Sequence, residues 1–130
     1  MPFPVSPEEI AKTEAKAGFT FPTGFKLRLS KDNGGKIEIA DDDWQLIPFL
    51  DTTDRKRISR TCNDIVKETA SMRELSDFPA NAFVVAKNGS ECCLILLPET
   101  EDSTRLGETI YLRDMETGEY EPVADSLDAI

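Results

Sequence analysis

Histidine is absent from this chain. With it go the commonest general base near neutral pH, the Ser-His-Asp and Cys-His arrangements, and every imidazole metal ligand. Cysteine is scarce. Cys62, Cys92 and Cys93 are an odd set, and adjacent strand residues point to opposite faces, so neither a disulfide framework nor a shared metal pair is implied. Buried reduced thiols are expected instead. Long apolar runs are also missing: the longest, Cys92-Cys93-Leu94-Ile95-Leu96-Leu97, falls far short of the roughly 20 residues of a transmembrane helix and reads as a buried strand. Positive charge is in deficit, 15 Lys and Arg against 25 Asp and Glu, giving a formal charge of -10. Such a chain repels phosphate backbones and favours a basic partner, so nucleic-acid binding is not expected. Gly34-Gly35-Lys36 lacks the earlier Gly and the following Ser or Thr of a phosphate loop.

What is present fits one soluble globular domain, residues 1–130: 39% of the residues are apolar, and a chain this long buries roughly two-thirds of its unfolded surface. Met1-Pro2-Phe3-Pro4 has no basic or apolar leader region and is followed by Glu8, Glu9 and Glu14, so a cytoplasmic chain is expected.

Ser6-Pro7-Glu8-Glu9 combines a cap residue, Pro at the first helical position and Glu three residues after the cap, which predicts a helix start, with Gly18 as its end. Ile10, Ala11 and Ala15 supply its thin apolar stripe. Pro22 opens a second short helix stopped at Asn33-Gly34-Gly35, with Phe25 and Leu29 facing inward and the glycines ending the helix in left-handed conformation. Lys36 to Ile39 and Trp44 to Phe49 alternate with period two and predict a hairpin around the acidic loop Asp41-Asp42-Asp43.

A third helix is expected from about Thr61 to Leu75, with Cys62, Ile65, Val66, Thr69 and Met72 on one face and Asp77-Phe78-Pro79 closing it. Ala82 to Ala86 and Cys92 to Leu97 flank Asn88-Gly89 and predict the central hairpin. Thr109 to Arg113 and Tyr120 to Val123 flank Thr117-Gly118 and predict another, after which Ser126 to Ile130 begin a helix that is cut off. Helices first and a meander of strands after them predict an α+β fold, with N-terminal helices packed on a central antiparallel sheet of about four to six strands.

Four groups of residues bear on chemistry. Asp41, Asp42 and Asp43, near Asp51 and Asp54, fit either a solvated self-repelling loop or a hard-cation site without EF-hand spacing, and the loop is the preferred reading. Arg55, Lys56, Arg57 and Arg60 form the one basic cluster, read as neutralising the neighbouring acids rather than contacting phosphate. Trp44, alone in the chain, is either core or a contact anchor. Residues 99 to 130 hold ten acids and two bases, a local charge of -8.

The stretch Ala17-Gly18-Phe19-Thr20-Phe21-Pro22-Thr23-Gly24-Phe25-Lys26, followed by Asn33-Gly34-Gly35 and Trp44, resembles the SUKH superfamily, which includes bacterial immunity proteins and fungal cell-wall assembly regulators. Gly107 to Asp114 is similar to the family's late strand, and Ala124-Asp125-Ser126-Leu127 to the start of its last helix. Leu112-Arg113 replaces a Trp often found there, and the terminal helix is only begun. The resemblance implies a compact α+β domain without catalysis, with Gly18, Pro22, Asn33, Gly34 and Gly35 as its structural motif. Its bacterial members commonly neutralise polymorphic toxins, often nucleases; the fungal members imply a regulatory or scaffold role without a toxin.

The expectation is therefore a binding protein, not an enzyme, with no cofactor and no resident metal. Its partner is a basic protein, a secreted toxin among the candidates, engaged through Asp41, Asp42, Asp43 and Trp44 and through Glu99, Glu101 and Asp102.

Overall fold

The computed structural model describes residues 4–39, 41–74, 78–79, 81–89, 92–100, 102–114 and 116–126. Helix α1, Pro7–Ala17, starts where the Ser6 hydroxyl accepts the Glu9 N–H at 3.4 Å and ends at Gly18, whose φ of 77° is open to a residue without Cβ. Its buried face is Glu9, Ile10 and Thr13, whereas Ala11 and Ala15 are exposed, contrary to the expected stripe. The cause is tertiary. The loop after Phe49 folds back on α1 and brings hydrogen-bond donors to Glu9, so a carboxylate occupies a position that periodicity assigns to apolar residues.

Helix α2, Thr23–Lys31, enters through Pro22, which has no side-chain cap to offer. Glu108 supplies one from 84 residues away, accepting the Gly24 N–H at 3.1 Å, a carboxylate at the positive end of the helix dipole. Phe25 and Leu29 are buried as expected. The helix itself stops at Asp32 in extended conformation, so Gly34 and Gly35, at φ 116° and 85°, turn the chain into the next strand rather than terminating the helix.

Strands β1, Lys36–Ile39, and β2, Asp42–Leu46, form the first hairpin. Asp42 and Asp43 belong to β2 and not to the loop; Asp41 alone sits in the turn, at φ 65°. The single helix expected from Thr61 is two, α3 (Arg55–Thr61) and α4 (Ile65–Arg73). Asp54 and Asp64 each place a carboxylate on the first-turn amides of the helix that follows, Asp64 accepting from Val66 at 2.9 Å and Lys67 at 3.1 Å. Cys62 caps the end of α3 and is exposed, while Ile65 and Thr69 are buried. Helix α4 ends at Arg73, two residues short of the expected Leu75; Leu75 and Asp77, and all of the terminal helix expected from Ser126 except Ser126 itself, lie outside the described residues.

Strands β3 (Phe83–Lys87), β4 (Cys92–Leu96), β5 (Ile110–Asp114) and β6 (Tyr120–Ala124) complete a six-stranded antiparallel sheet in the order β1-β2-β3-β4-β5-β6. The fold is α+β, at the upper end of the expected strand number. Phe83 to Ala86 and Cys93 to Leu96 are buried whichever way they point, which marks β3 and β4 as central. Phe21, Phe25, Phe49 and Phe83 meet above them with ring centroids 5.2 to 5.7 Å apart, and this cluster fastens the helices to the sheet.

Candidate protein-binding surface

In an antiparallel meander every second connection lies at the same end of the sheet. The β1–β2, β3–β4 and β5–β6 turns therefore share one end, and the β2–β3 and β4–β5 connections share the other. This separates the two acidic segments singled out in the sequence. Asp41, Asp42 and Asp43 stand at the hairpin end; Glu99 and Asp102 follow β4 and stand at the opposite end. Glu101 lies outside the described residues. The structure instead places Asp41 to Asp43 beside Glu38 on the facing strand and at the same end of the sheet as Asp114 on β5, about 14 Å from β2 across three strand spacings, with Glu116 and Glu119 of the β5–β6 turn after it. Asp41 to Asp43, Glu38, Glu116 and Glu119 are exposed. At the other end Glu99 pairs with Arg105 at 3.7 Å, so its charge is partly offset.

Trp44 is not part of this surface. Its ring is 1% exposed and its indole N–H donates to the Ile39 carbonyl at 3.1 Å, so it fixes the inner face of the β1–β2 ribbon whose outer face carries the acids. The motif residues likewise build the frame. The Asn33 amide donates to the Phe49 carbonyl and accepts the Phe49 N–H, both at 2.8 Å, tying the end of α2 to the strand of chain after β2.

Arg57 stands 3.8 Å from Asp51 and 3.6 Å from Asp54, the local neutralisation expected of the basic cluster. Asp51 is buried, accepts the Thr53 N–H at 3.0 Å and also the Thr53 hydroxyl, and its own N–H donates to the Thr61 hydroxyl at 2.9 Å. These bonds hold α3 against the loop before it. Beside them a cleft of about 400 Å³ opens between the Gly34-Gly35 turn and α3.

Three features escaped the sequence. Lys12 at 2.7 Å, with the hydroxyl and N–H of Thr52, holds the Glu9 carboxyl down to about 2. Arg113 is buried with its guanidinium 5.0 Å from the Phe78 ring centre, a cation over an aromatic face in the core. Glu108 serves α2, as described above. The periodicity and cap rules that exposed other elements are local; Arg113 and Glu108 find their partners far along the chain, and Glu9 adds Thr52, 43 residues away, to its neighbour Lys12. Burial raises the Cys93 thiol to about 11, which keeps it protonated and unreactive.

Among the described residues no helix is long and apolar enough to cross a membrane, and no three Cys, Asp or Glu side chains are arranged to hold a metal ion. A search of curated proteins returned no match. The model of the SMI1 / KNR4 family (SUKH-1) matches residues 4–130, nearly the whole length over which the helices, the meander and the Asn33-Gly34-Gly35 turn are laid out. On that match this chain belongs to the SMI1 / KNR4 family (SUKH-1).

Proposed function

We propose that this domain is a cytoplasmic, non-catalytic binding protein that engages a basic protein through the hairpin end of its sheet, acting as an immunity protein that covers the active site of a toxin such as a nuclease. The observation that carries this reading is the distribution of charge. At that end Asp41 in the first turn, Asp42 and Asp43 at the start of β2, and Glu116 and Glu119 between β5 and β6 stand exposed, and the sequence has no Lys or Arg in 40–43, 88–91 or 115–119. Nuclease sites are basic because they hold phosphate backbones, and an acidic surface competes for them by charge complementarity while speeding association. The chain offers no histidine for acid–base work, and its best-buried thiol is held protonated. Family membership adds support, since the resemblance that first marked this chain implies binding of partner proteins.

The test is a pull-down from the native cell with the wild-type chain and with D41K/D42K/D43K, followed by co-expression with whatever is captured. A basic protein bound by the wild type, lost by the variant and lethal to the host unless the wild type is present supports the proposal. Capture that is indifferent to the triple reversal overturns the surface assignment. A captured protein that is harmless on its own overturns the immunity role in favour of a regulatory one.

A further inference from the structure

The bases of this chain are as unevenly placed as its acids. Helix α3 carries Arg55, Lys56, Arg57 and Arg60 and no acid, and α2 carries Lys26, Arg28 and Lys31 and no acid. The cleft of about 400 Å³ lies where the end of α2 approaches α3. Leu46 and Pro48 supply its apolar lining, Gly34 and Gly35 bare backbone, and Arg57 and Arg60 two cations against the one carboxylate of Asp51, which leaves the lining with a net positive charge. The two arginines are three residues apart on α3 and so share a face. Arg57 is oriented by Asp51 and Asp54, while Arg60 is exposed at the rim. Gly34, at φ 116°, lines the cleft with backbone alone, and the Gln45 amide beside it adds a polar group to the same wall. Ile58, 42% exposed, follows Arg57 on α3.

We propose that this cleft binds a short acidic segment of a protein, with a carboxylate between Arg57 and Arg60 and an apolar side chain on Leu46 and Pro48. Planar guanidinium groups match carboxylate geometry, and two on one helix face fix its position. A bare phosphate satisfies the charges but leaves the apolar lining of Leu46 and Pro48 unused. The site is separate from the acidic hairpin end. Gly35 and Asp41 flank β1 at its opposite ends, and Leu46 in the cleft stands three residues from Asp43 along β2, about 10 Å at the ordinary strand rise. The domain then joins two partners of opposite charge, a role beyond blocking one toxin.

The test uses the full chain, labelled with ¹⁵N and titrated with the capped peptide Glu-Glu-Leu-Glu-Glu. Saturable shifts are expected at the amides of Gly34, Gly35 and Ile58, weakened about tenfold by Arg60→Glu, the loss of one charged contact. Asp43→Lys changes the net charge by the same amount in the other direction at the far end of the ribbon, and is expected to leave the peptide affinity within about twofold. Absence of saturable shifts at millimolar peptide overturns the proposal, as does undiminished binding by Arg60→Glu. Sodium phosphate saturating the same amides at concentrations no higher than the peptide overturns the peptide assignment and leaves a simple anion site. A large gain in affinity from Asp43→Lys overturns it too, by showing that overall charge governs binding.

Discussion

Glu38 and Asp43 are direct partners across the β1–β2 ladder, two acids on the exposed face of a two-stranded ribbon. Like charges placed directly opposite each other are destabilising by an amount similar to what an opposite-charge pair contributes, about 0.2–1 kcal/mol. The ribbon holds because its inner face is anchored by Ile37, Ile39 and Trp44, all buried. A surface pair that costs stability while a core residue beneath it compensates is the pattern expected where charge serves binding rather than folding.

Asp43→Lys is therefore expected to act in opposite directions on two measurements. It converts the repulsive pair with Glu38 into an attractive one, and the urea midpoint should rise, corresponding to about 0.5–1 kcal/mol. Association with the basic partner should slow, and its salt dependence should flatten. A variant that loses stability would show that the Glu38–Asp43 register does not govern this edge.

Trp44 separates the core reading from the surface one without mutagenesis. As the only tryptophan, and 1% exposed, it should emit on the short-wavelength side, resist acrylamide quenching and keep both properties when the partner binds. Trp44→Ala should cost about 3–5 kcal/mol in denaturant unfolding, the range for deleting a large buried ring.

Asn33→Ala removes a side chain that satisfies both backbone polar groups of Phe49. The orphaned N–H and carbonyl are buried with it, and each costs about 1–3 kcal/mol when unmet, so a loss of at least about 2 kcal/mol is expected. Asn33→Asp keeps the acceptor for the Phe49 N–H but loses the donor, and should fall between the two. Equal stability of all three chains would remove Asn33 from the frame.

Glu9 sets an acid limit on stability. Its folded carboxyl, held at about 2 by Lys12 and Thr52, titrates below its ordinary value of 4.5. A depressed acid contributes stability that is fully present above the unfolded value and fades as the pH falls toward the folded one. Unfolding midpoints measured from pH 6 down to 2 should decline for the wild type across about pH 5 to 2. Glu9→Gln should be less stable at pH 6 and decline less steeply, and parallel curves would contradict the assignment.

The local grammar of the chain was readable at the level of single elements. Ser6, Pro7 and Gly18 bound α1 because caps, helical proline and a left-handed glycine act within one turn of the residues they serve. Asn88-Gly89 marked the central hairpin because the turn and the flanking apolar runs are contiguous. The break between α3 and α4 was missed because the apolar period runs on through Cys62 and Ile65, while the Asp64 carboxylate that restarts the helix looks in sequence like any other polar residue. Of the candidate surface, the acids were legible as charge but not as an arrangement.

The sequence by itself determined the class of the fold, the strand-bearing segments, the excess of acid and the absence of histidine, since composition and period are properties of the chain. Tertiary structure decided which charges meet. It sent Glu99 and Asp102 to the opposite end of the sheet from Asp41 to Asp43, because a meander alternates the ends of its turns, and it brought Glu38 and Asp114 to that hairpin end instead. It buried Trp44, Arg113 and Glu9, and it opened the cleft beside Arg57 and Arg60. Each of these depends on residues distant in sequence coming within a few ångströms, where hydrogen bonds, ring contacts and desolvation act, and no local pattern encodes that proximity.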